Sequence, residues 1–311
     1  MPRKCLDAAL GPRLDSLSPL GYNGRRDAGH ERRGMGTLYV VGTPIGNLED
    51  ITLRALRILR EVRLVAAEDT RTARKLLTRY EISVPTTSYF EHNQVVKTPL
   101  ILRELAQGDV ALISEAGMPG LSDPGYNLIR ATIEAGYPVV PVPGPSAITA
   151  ALAVSGLPAD RFLFLGFLPR RSKERRALLG SVARLPWTLV FFEAPHRVLQ
   201  SLADVQDVLG DRPAVAAREL TKRHEEIQRG TVSSLRDLLE AGDRRGEFTF
   251  VVAGAAPEAP APWPRERVVE ALRGSLSRHQ PAREAARQIA QAAGWKAREV
   301  YDLYVELREQ R

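Results

Sequence analysis

From Thr37 onward, short apolar runs alternate with stretches in which apolar positions recur every three or four residues, the pattern of strands alternating with amphipathic helices. Leu38 to Val41 reads as a strand, and the following helix carries Leu53, Leu56 and Leu59. Leu64 to Ala67 is a strand ending in Glu68 and Asp69, followed by a helix with Leu76 and Leu77. Thr86 to Phe90 is a weaker strand, and Pro99 to Ala106 lies in a helix. Val110 to Ile113 and Val139 to Val142 add two strands around a helix that ends near Gly136. This alternation predicts an α/β domain over 35–145 with a largely parallel sheet.

The alternation resumes with Phe162 to Phe167, Leu189 to Phe192, Val215 to Ala217 and Phe248 to Val252, which predicts a second α/β domain over 146–254. Alanine and proline dominate 255–264, the composition of a semi-rigid linker. In 265–311, Ala285, Ala286, Ile289 and Ala293 share one helical face and Val300, Leu303, Tyr304 and Leu307 another, with Gly294 at the turn. Residues 1–34 show no sustained periodicity, and their seven basic and four acidic side chains mark them as a disordered tail rather than a transit or signal peptide. Met35, directly before the first strand, is a candidate start.

Composition narrows the class. With 311 residues, 44% of them hydrophobic and 26% charged, the chain has the material for two packed domains. No apolar run reaches the roughly 18–20 residues of a membrane span. The lone cysteine, Cys5, excludes an internal disulfide and suits a reducing, cytoplasmic setting. The histidines at 30, 92, 196, 224 and 279 share no metal-ligand spacing, so no metal is expected. A net charge of +7 fits a polyanionic partner, although the cations are spread along the whole chain.

The chemistry concentrates where strands end. GTPIGN, Gly42 to Asn47, joins a strand to a helix where α/β sheets bind ligands, but its spacing is not G-x-G-x-x-G, so a Rossmann dinucleotide site is disfavoured. Two further glycine-and-proline loops, Ser114 to Gly125 and Pro143 to Ala147, also follow strands and open helices. Three such loops can converge and offer backbone N–H and C=O groups to a small polar ligand.

Eight segments resemble, in order, the small-subunit ribosomal RNA methyltransferases of the tetrapyrrole methylase fold family. They are VGTPIGNLEDITLRAL, AAEDTRTARKLL, EHN, SEAGMPGLSDPG, VPGPSA, FFEAPHR, ARELTKRHEE and GEFTFVV. Beside the small C-terminal helical module read from periodicity, the resemblance implies two α/β domains with S-adenosylmethionine in the cleft between them, a homodimer, and 2'-O-methylation of a cytidine ribose in the decoding region of 16S rRNA. Carried over by position, it places the donor against Thr43, Pro44 and Ile45, against Ala116, Gly117, Met118, Pro119 and Leu121, and against Ser146 and Ala147. From the second domain it adds Phe192, Glu193 and Ala194, with Ala217, Arg218 and Glu219. The family pattern reads DAGTP where this chain has EAGMP, so Glu115 and Met118 bring a longer carboxylate and remove a hydroxyl.

Methyl transfer to a ribose hydroxyl asks for near-attack alignment and a destination for the proton. Glu68, Asp69 and His92 are the candidate bases. Glu68 and Asp69 can instead cap the next helix and pair with Arg71. For RNA contact the sequence offers Arg71 and Asn93, the basic run Arg170, Arg171, Lys173, Arg175 and Arg176, then His196, Arg197, Lys222 and Arg223. Glu193 is expected to hold part of the donor or the acceptor ribose, unless it and Arg218 sit in structural ion pairs. Two other functions are compatible: methylation of a corrin-like macrocycle or a modified protein side chain on the same fold, and non-catalytic RNA binding.

Overall fold

The computed structural model describes residues 36–256, 262–278 and 280–309. The tail expected over 1–34 lies outside them, as does part of the expected linker. By internal contacts the chain divides into two compact units, one up to Pro145 and one from Ser146.

The first unit contains strands β1 (Leu38–Val41), β2 (Leu64–Ala67), β3 (Thr86–Ser88), β4 (Val110–Ile113) and β5 (Val139–Val142). They form one sheet in the order β3-β2-β4-β1-β5, and every pairing is parallel. Helices α1 (Leu53–Glu61), α2 (Thr70–Arg79), α3 (Gln94–Leu105) and α4 (Tyr126–Glu134) connect them. The four residues of β4 are all buried, as expected of a central parallel strand covered on both faces.

Local chemistry sets the helix ends. The Thr52 hydroxyl accepts the Ala55 N–H at 3.1 Å to start α1, and the Asp69 carboxylate accepts the Arg71 N–H at 2.7 Å to start α2. Leu53, expected on the buried face of α1, is 86% exposed, because the apolar stripe runs through Ala55, Leu56, Ile58 and Leu59 instead. α3 begins at Gln94 and carries Pro99 inside it, so the helix starts five residues ahead of the expected Pro99.

The second unit opens with α5 (Ala147–Ser155), then β6 (Phe162–Phe167), α6 (Ser172–Val182), β7 (Thr188–Glu193), α7 (Val198–Leu209), β8 (Pro213–Arg218), β9 (Glu226–Thr231), α8 (Val232–Ala241) and β10 (Phe248–Val252). The sheet order is β6-β7-β10-β8-β9. This second sheet is mixed, unlike the first: only β6 and β7 are parallel. β10 lies antiparallel between β7 and β8, and β9 is antiparallel to β8. The segment 219–225 between β8 and β9 is too short for a parallel crossover and permits only a hairpin. β9, EIQRGT, was invisible to hydrophobic patterning because none of its residues is buried.

Three further helices, α9 (Arg265–Ser277), α10 (Ala282–Ala293) and α11 (Ala297–Glu309), enclose their own core of Val268, Leu272, Ala285, Ala286, Ile289, Val300 and Tyr304. Gly294, at φ 67°, ends α10 in the left-handed conformation.

Candidate functional site

In the first unit every strand runs the same way, so the segments after β1, β2, β3, β4 and β5 leave from one edge of the sheet. β1 sits between β4 and β5, which brings the three glycine-and-proline loops side by side. The first two are stitched together: the Thr43 N–H donates to Gly117 O at 2.9 Å, and the Gly117 N–H returns to Thr43 O at 3.1 Å. The buried Thr43 hydroxyl donates toward the carbonyls of Ser114 and Gly117, both at 3.3 Å, and the Ser114 hydroxyl toward the carbonyls of Ala116 and Gly117, also at 3.3 Å. Ser114 is a supporting residue that sequence patterning did not single out. The third loop meets the first where no side chain fits. A Cβ on Gly42 would lie 2.8 Å from the backbone of Gly144 and 2.8 Å from the Met118 sulfur, so glycine is required by contact with backbone.

Of the positions expected to touch a donor, Thr43, Pro44, Ile45, Gly117 and Pro119 are buried, Ala116, Met118, Ser146 and Ala147 are half-buried, and Leu121 is exposed. Ser146 starts α5 without any side-chain cap bond, which leaves its hydroxyl and the first-turn amides unused by capping.

Beside these loops lie three carboxylates. Glu68 follows β2, and its carboxylate accepts the backbone N–H of Glu115 at 3.1 Å. Burial, together with the charges of Glu115 and Asp69, raises the Glu68 pKa above that of an ordinary glutamate, and the Glu115 N–H only partly offsets this. Asp69 differs. Its carboxylate is gripped by the Arg71 side chain at 2.8 Å and by the Arg71 N–H, which lowers its pKa to about 2. The expectation that Asp69 is a base is therefore corrected: it is a helix cap and ion-pair partner, and too weak a base for a sugar hydroxyl. His92 is exposed on a short turn, Glu91–Asn93, with its ring edge-on to Phe90 at 6.5 Å. Asn93 is also corrected. Its side chain donates to Ser88 at 3.1–3.2 Å and accepts the Phe90 N–H at 2.9 Å, so it builds that turn rather than facing RNA.

Second-unit candidates divide in the same way. Phe192 is half-buried against the rings of Phe164 and Phe167 at 5.0 and 5.4 Å. The Glu193 side chain is fully buried and accepts from Arg197 at 2.8 Å, from the Ala194 N–H at 2.8 Å and from the Ser201 hydroxyl. That carboxylate has no face left for a ribose, which corrects its expected role. Arg197, held by Glu193 and the Leu168 carbonyl, is likewise no phosphate contact. Ala217 is buried. Arg218, 9% exposed, binds Glu226 at 3.0 Å and Asp243 at 3.3 Å, so its guanidinium is structural. Glu219 sits at φ 51° and accepts from Lys222 at 2.8 Å and from the Glu247 N–H at 3.0 Å.

The basic run also splits. Arg170, Arg171, Lys173 and Arg176 are exposed, with Arg176 bridging Asp204 and Asp207 at 3.2 and 2.8 Å. Arg175 is 1% exposed and donates to Asp204 at 2.8 Å and to the carbonyls of Pro169 and Arg170 at 3.0 and 3.2 Å. Its expected RNA contact is corrected, because a guanidinium enclosed by these acceptors does not reach solvent. His196 and Arg223 are exposed and unpaired among the described residues.

An all-parallel sheet with backbone-rich loops at its carboxyl edge, followed by a mixed sheet of the order above, defines an α/β class of two-sheet proteins whose loops lack the G-x-G-x-x-G dinucleotide fingerprint. The chain belongs to the tetrapyrrole methylase family: residues 37–236 match the model for Tetrapyrrole (Corrin/Porphyrin) Methylases. A relative from Synechocystis sp., Ribosomal RNA small subunit methyltransferase I, is 44% identical over 88% of this chain and 99% of its own length. The protein of the same name from Pseudomonas aeruginosa is 46% identical over 86% and 95%. Among solved structures, the methyltransferase CobJ shares the fold at TM-score 0.55 and 20% identity, covering 73% of this chain and 98% of that one. The chain is an S-adenosylmethionine-dependent methyltransferase.

The first-unit loops fit that donor. Closely packed glycine backbone suits a ligand recognised through N–H and C=O groups, and the neighbouring carboxylates favour a cation. No helix among the described residues is long and apolar enough to cross a membrane.

Proposed function

We propose that this protein methylates the 2'-hydroxyl of a cytidine ribose in the decoding region of 16S rRNA, acting in the cytoplasm as a homodimer. The observation that carries the reading is the near-full-length match to relatives named Ribosomal RNA small subunit methyltransferase I, together with the hydrogen-bonded first and second loops and the close approach of Gly144 to Gly42. Support for self-association comes from apolar side chains left exposed on α3 and α4, namely Val95, Val96, Leu100, Tyr126 and Ile133.

In this reading Thr43 to Ile45, Ala116 to Pro119 and Leu121 hold the donor, largely through backbone. S-adenosylmethionine supplies a methyl group on a positively charged sulfur. Glu68 takes the proton of the attacking 2'-hydroxyl. The Glu115 N–H fixes one of its oxygens, and its raised pKa makes it a stronger base than a free carboxylate. Exposed cations at Arg71, Arg170, Arg171, Lys173, Arg176 and Arg223 meet phosphates. His92 lies after β3 on the same edge and contacts the acceptor.

The test supplies labelled donor and small ribosomal subunits purified from a strain lacking the gene, then maps the label. A single 2'-O-methylcytidine in the decoding region is expected. Label on a base, on a ribosomal protein, or nowhere overturns the assignment.

A further inference from the structure

In the second sheet, Phe248 at the start of β10 pairs with Glu193 at the end of β7. That register sets the segment after β7 beside the segment before β10. Between them is an open cavity of about 650 Å3 lined by Pro195, His196 and Gly242 to Gly246. Its volume lies within the roughly 300–1,000 Å3 of ligand pockets. Five of its seven lining residues are nevertheless exposed, so it is a surface groove and not an enclosed site.

Charge distinguishes this groove from an ordinary loop junction. Its one acid, Asp243, is gripped by Arg245 at 2.9 Å and Arg218 at 3.3 Å. These bonds, the Arg245 side chain first, hold its carboxyl well below the usual range, so it stays ionised and neutralised by its partners. Arg244 and His196 are exposed and have no partner among the described residues. The lining thus carries two uncommitted cationic or proton-donating side chains. The loop is also fixed in advance: a Cβ on Gly246, at φ 94°, would lie 2.5 Å from the Glu219 carboxylate, and Arg218 binds the carbonyls of Asp243 and Arg245 at 3.3 and 3.2 Å. Such a groove, with its backbone held in place and an uncommitted guanidinium on its lining, fits a phosphodiester strand lying along it better than a small anion needing an enclosed, multiply bonded cradle.

We propose that this groove holds the sugar-phosphate backbone of the acceptor RNA at nucleotides flanking the methylated one, with Arg244 as its main phosphate contact. The proposal rests on the RNA reading above and adds a site to it. Arg244 lies outside the basic runs that sequence inspection picks out.

The test compares Arg244→Glu, Arg244→Lys and, as a control of equal charge change on an exposed α3 position, Arg103→Glu. Binding of a labelled single-stranded decoding-region rRNA fragment is measured against salt, with KM for small subunits and kcat alongside. Arg244→Glu is expected to weaken RNA binding about 3–10-fold and to reduce the slope of log affinity against log salt by about 0.7. KM should rise with little change in kcat or donor affinity, and Arg244→Lys should restore most of the binding. Equal losses in Arg244→Glu and Arg103→Glu, an unchanged salt slope, or a loss confined to donor affinity each overturn the groove. If the wild-type chain binds the fragment with the expected Arg244 dependence but methylates no ribose, the functional reading fails and the groove stands.

Discussion

Arg175→Met tests the division between structural and RNA-facing cations. Arg175 is 1% exposed, and the Asp204 side chain it binds is 10% exposed. Methionine fills much of the arginine volume, so the loss is mainly electrostatic. Removing one partner of a buried pair costs about 3–5 kcal/mol. Asp204 keeps the Ser172 hydroxyl at 2.8 Å and Arg176 at 3.2 Å, which places this case at the lower end, about 3 kcal/mol. For a unit of this size each kcal/mol moves Tm by about 2–4 °C, so a fall of roughly 6–12 °C is expected in thermal unfolding.

Burial pushes the Asp204 pKa up, but its bonds to Ser172, Arg175 and Arg176 outweigh that and leave it lowered. A depressed carboxyl pKa stabilises the fold above its unfolded pKa, near 3.9, and that stability is lost as pH falls through the folded value. The gap between Arg175→Met and wild type should therefore narrow below about pH 4. The double variant Arg175→Met/Asp204→Met should recover most of the stability, since it leaves no orphaned charge. RNA affinity at 20 °C should stay within about twofold of wild type, because no exposed phosphate contact is removed. A variant with unchanged Tm but markedly weaker RNA binding refutes the buried-pair account.

Glu68→Gln should lower kcat by about 10²–10⁴-fold with donor affinity, read by isothermal titration, nearly unchanged. Wild-type kcat should fall as pH drops through the raised Glu68 pKa, and Glu115→Gln, which removes one of the charges raising it, should shift that acid limb to lower pH. Loss of donor binding in Glu68→Gln would place Glu68 in the donor pocket instead. Asp69→Asn should keep kcat near wild type at neutral pH and, by removing the other charge that raises Glu68, move the acid limb to lower pH; a loss of kcat as large as that of Glu68→Gln would restore Asp69 as a base. Gly42→Ala forces a methyl group to 2.8 Å from the Gly144 backbone, so it should destabilise the fold by about 1–3 kcal/mol and weaken donor binding in calorimetry. An unperturbed donor affinity there would show that the loop junction does not form the pocket.

The sequence by itself determined the strands with apolar runs, the three glycine-and-proline loops and the family. Each is written in local patterning or in ordered strings, and β1, β2, β4 and β5 coincide with the expected runs residue for residue. Strand pairing was decided only by the tertiary structure. The polar strand β9 became part of a sheet because β8 offered it hydrogen bonds, not because its side chains sought a core. Tertiary structure also sorted the ionisable groups. In sequence Arg175 and Arg176 are adjacent cations and Glu68 and Asp69 adjacent acids. In the fold, Arg175 is enclosed against Asp204 while Arg176 stays exposed, and Asp69 is taken by Arg71 while Glu68 rests on the Glu115 N–H. A side chain's charge is local information, but its solvation and many of its partners come from distant segments: Asp204 lies 29 residues from Arg175 and Glu115 lies 47 from Glu68, whereas Asp69 finds Arg71 only 2 residues along. Distant segments thus hold Glu68 as a partly buried carboxylate that can accept a proton, while a neighbour in sequence caps and pairs Asp69.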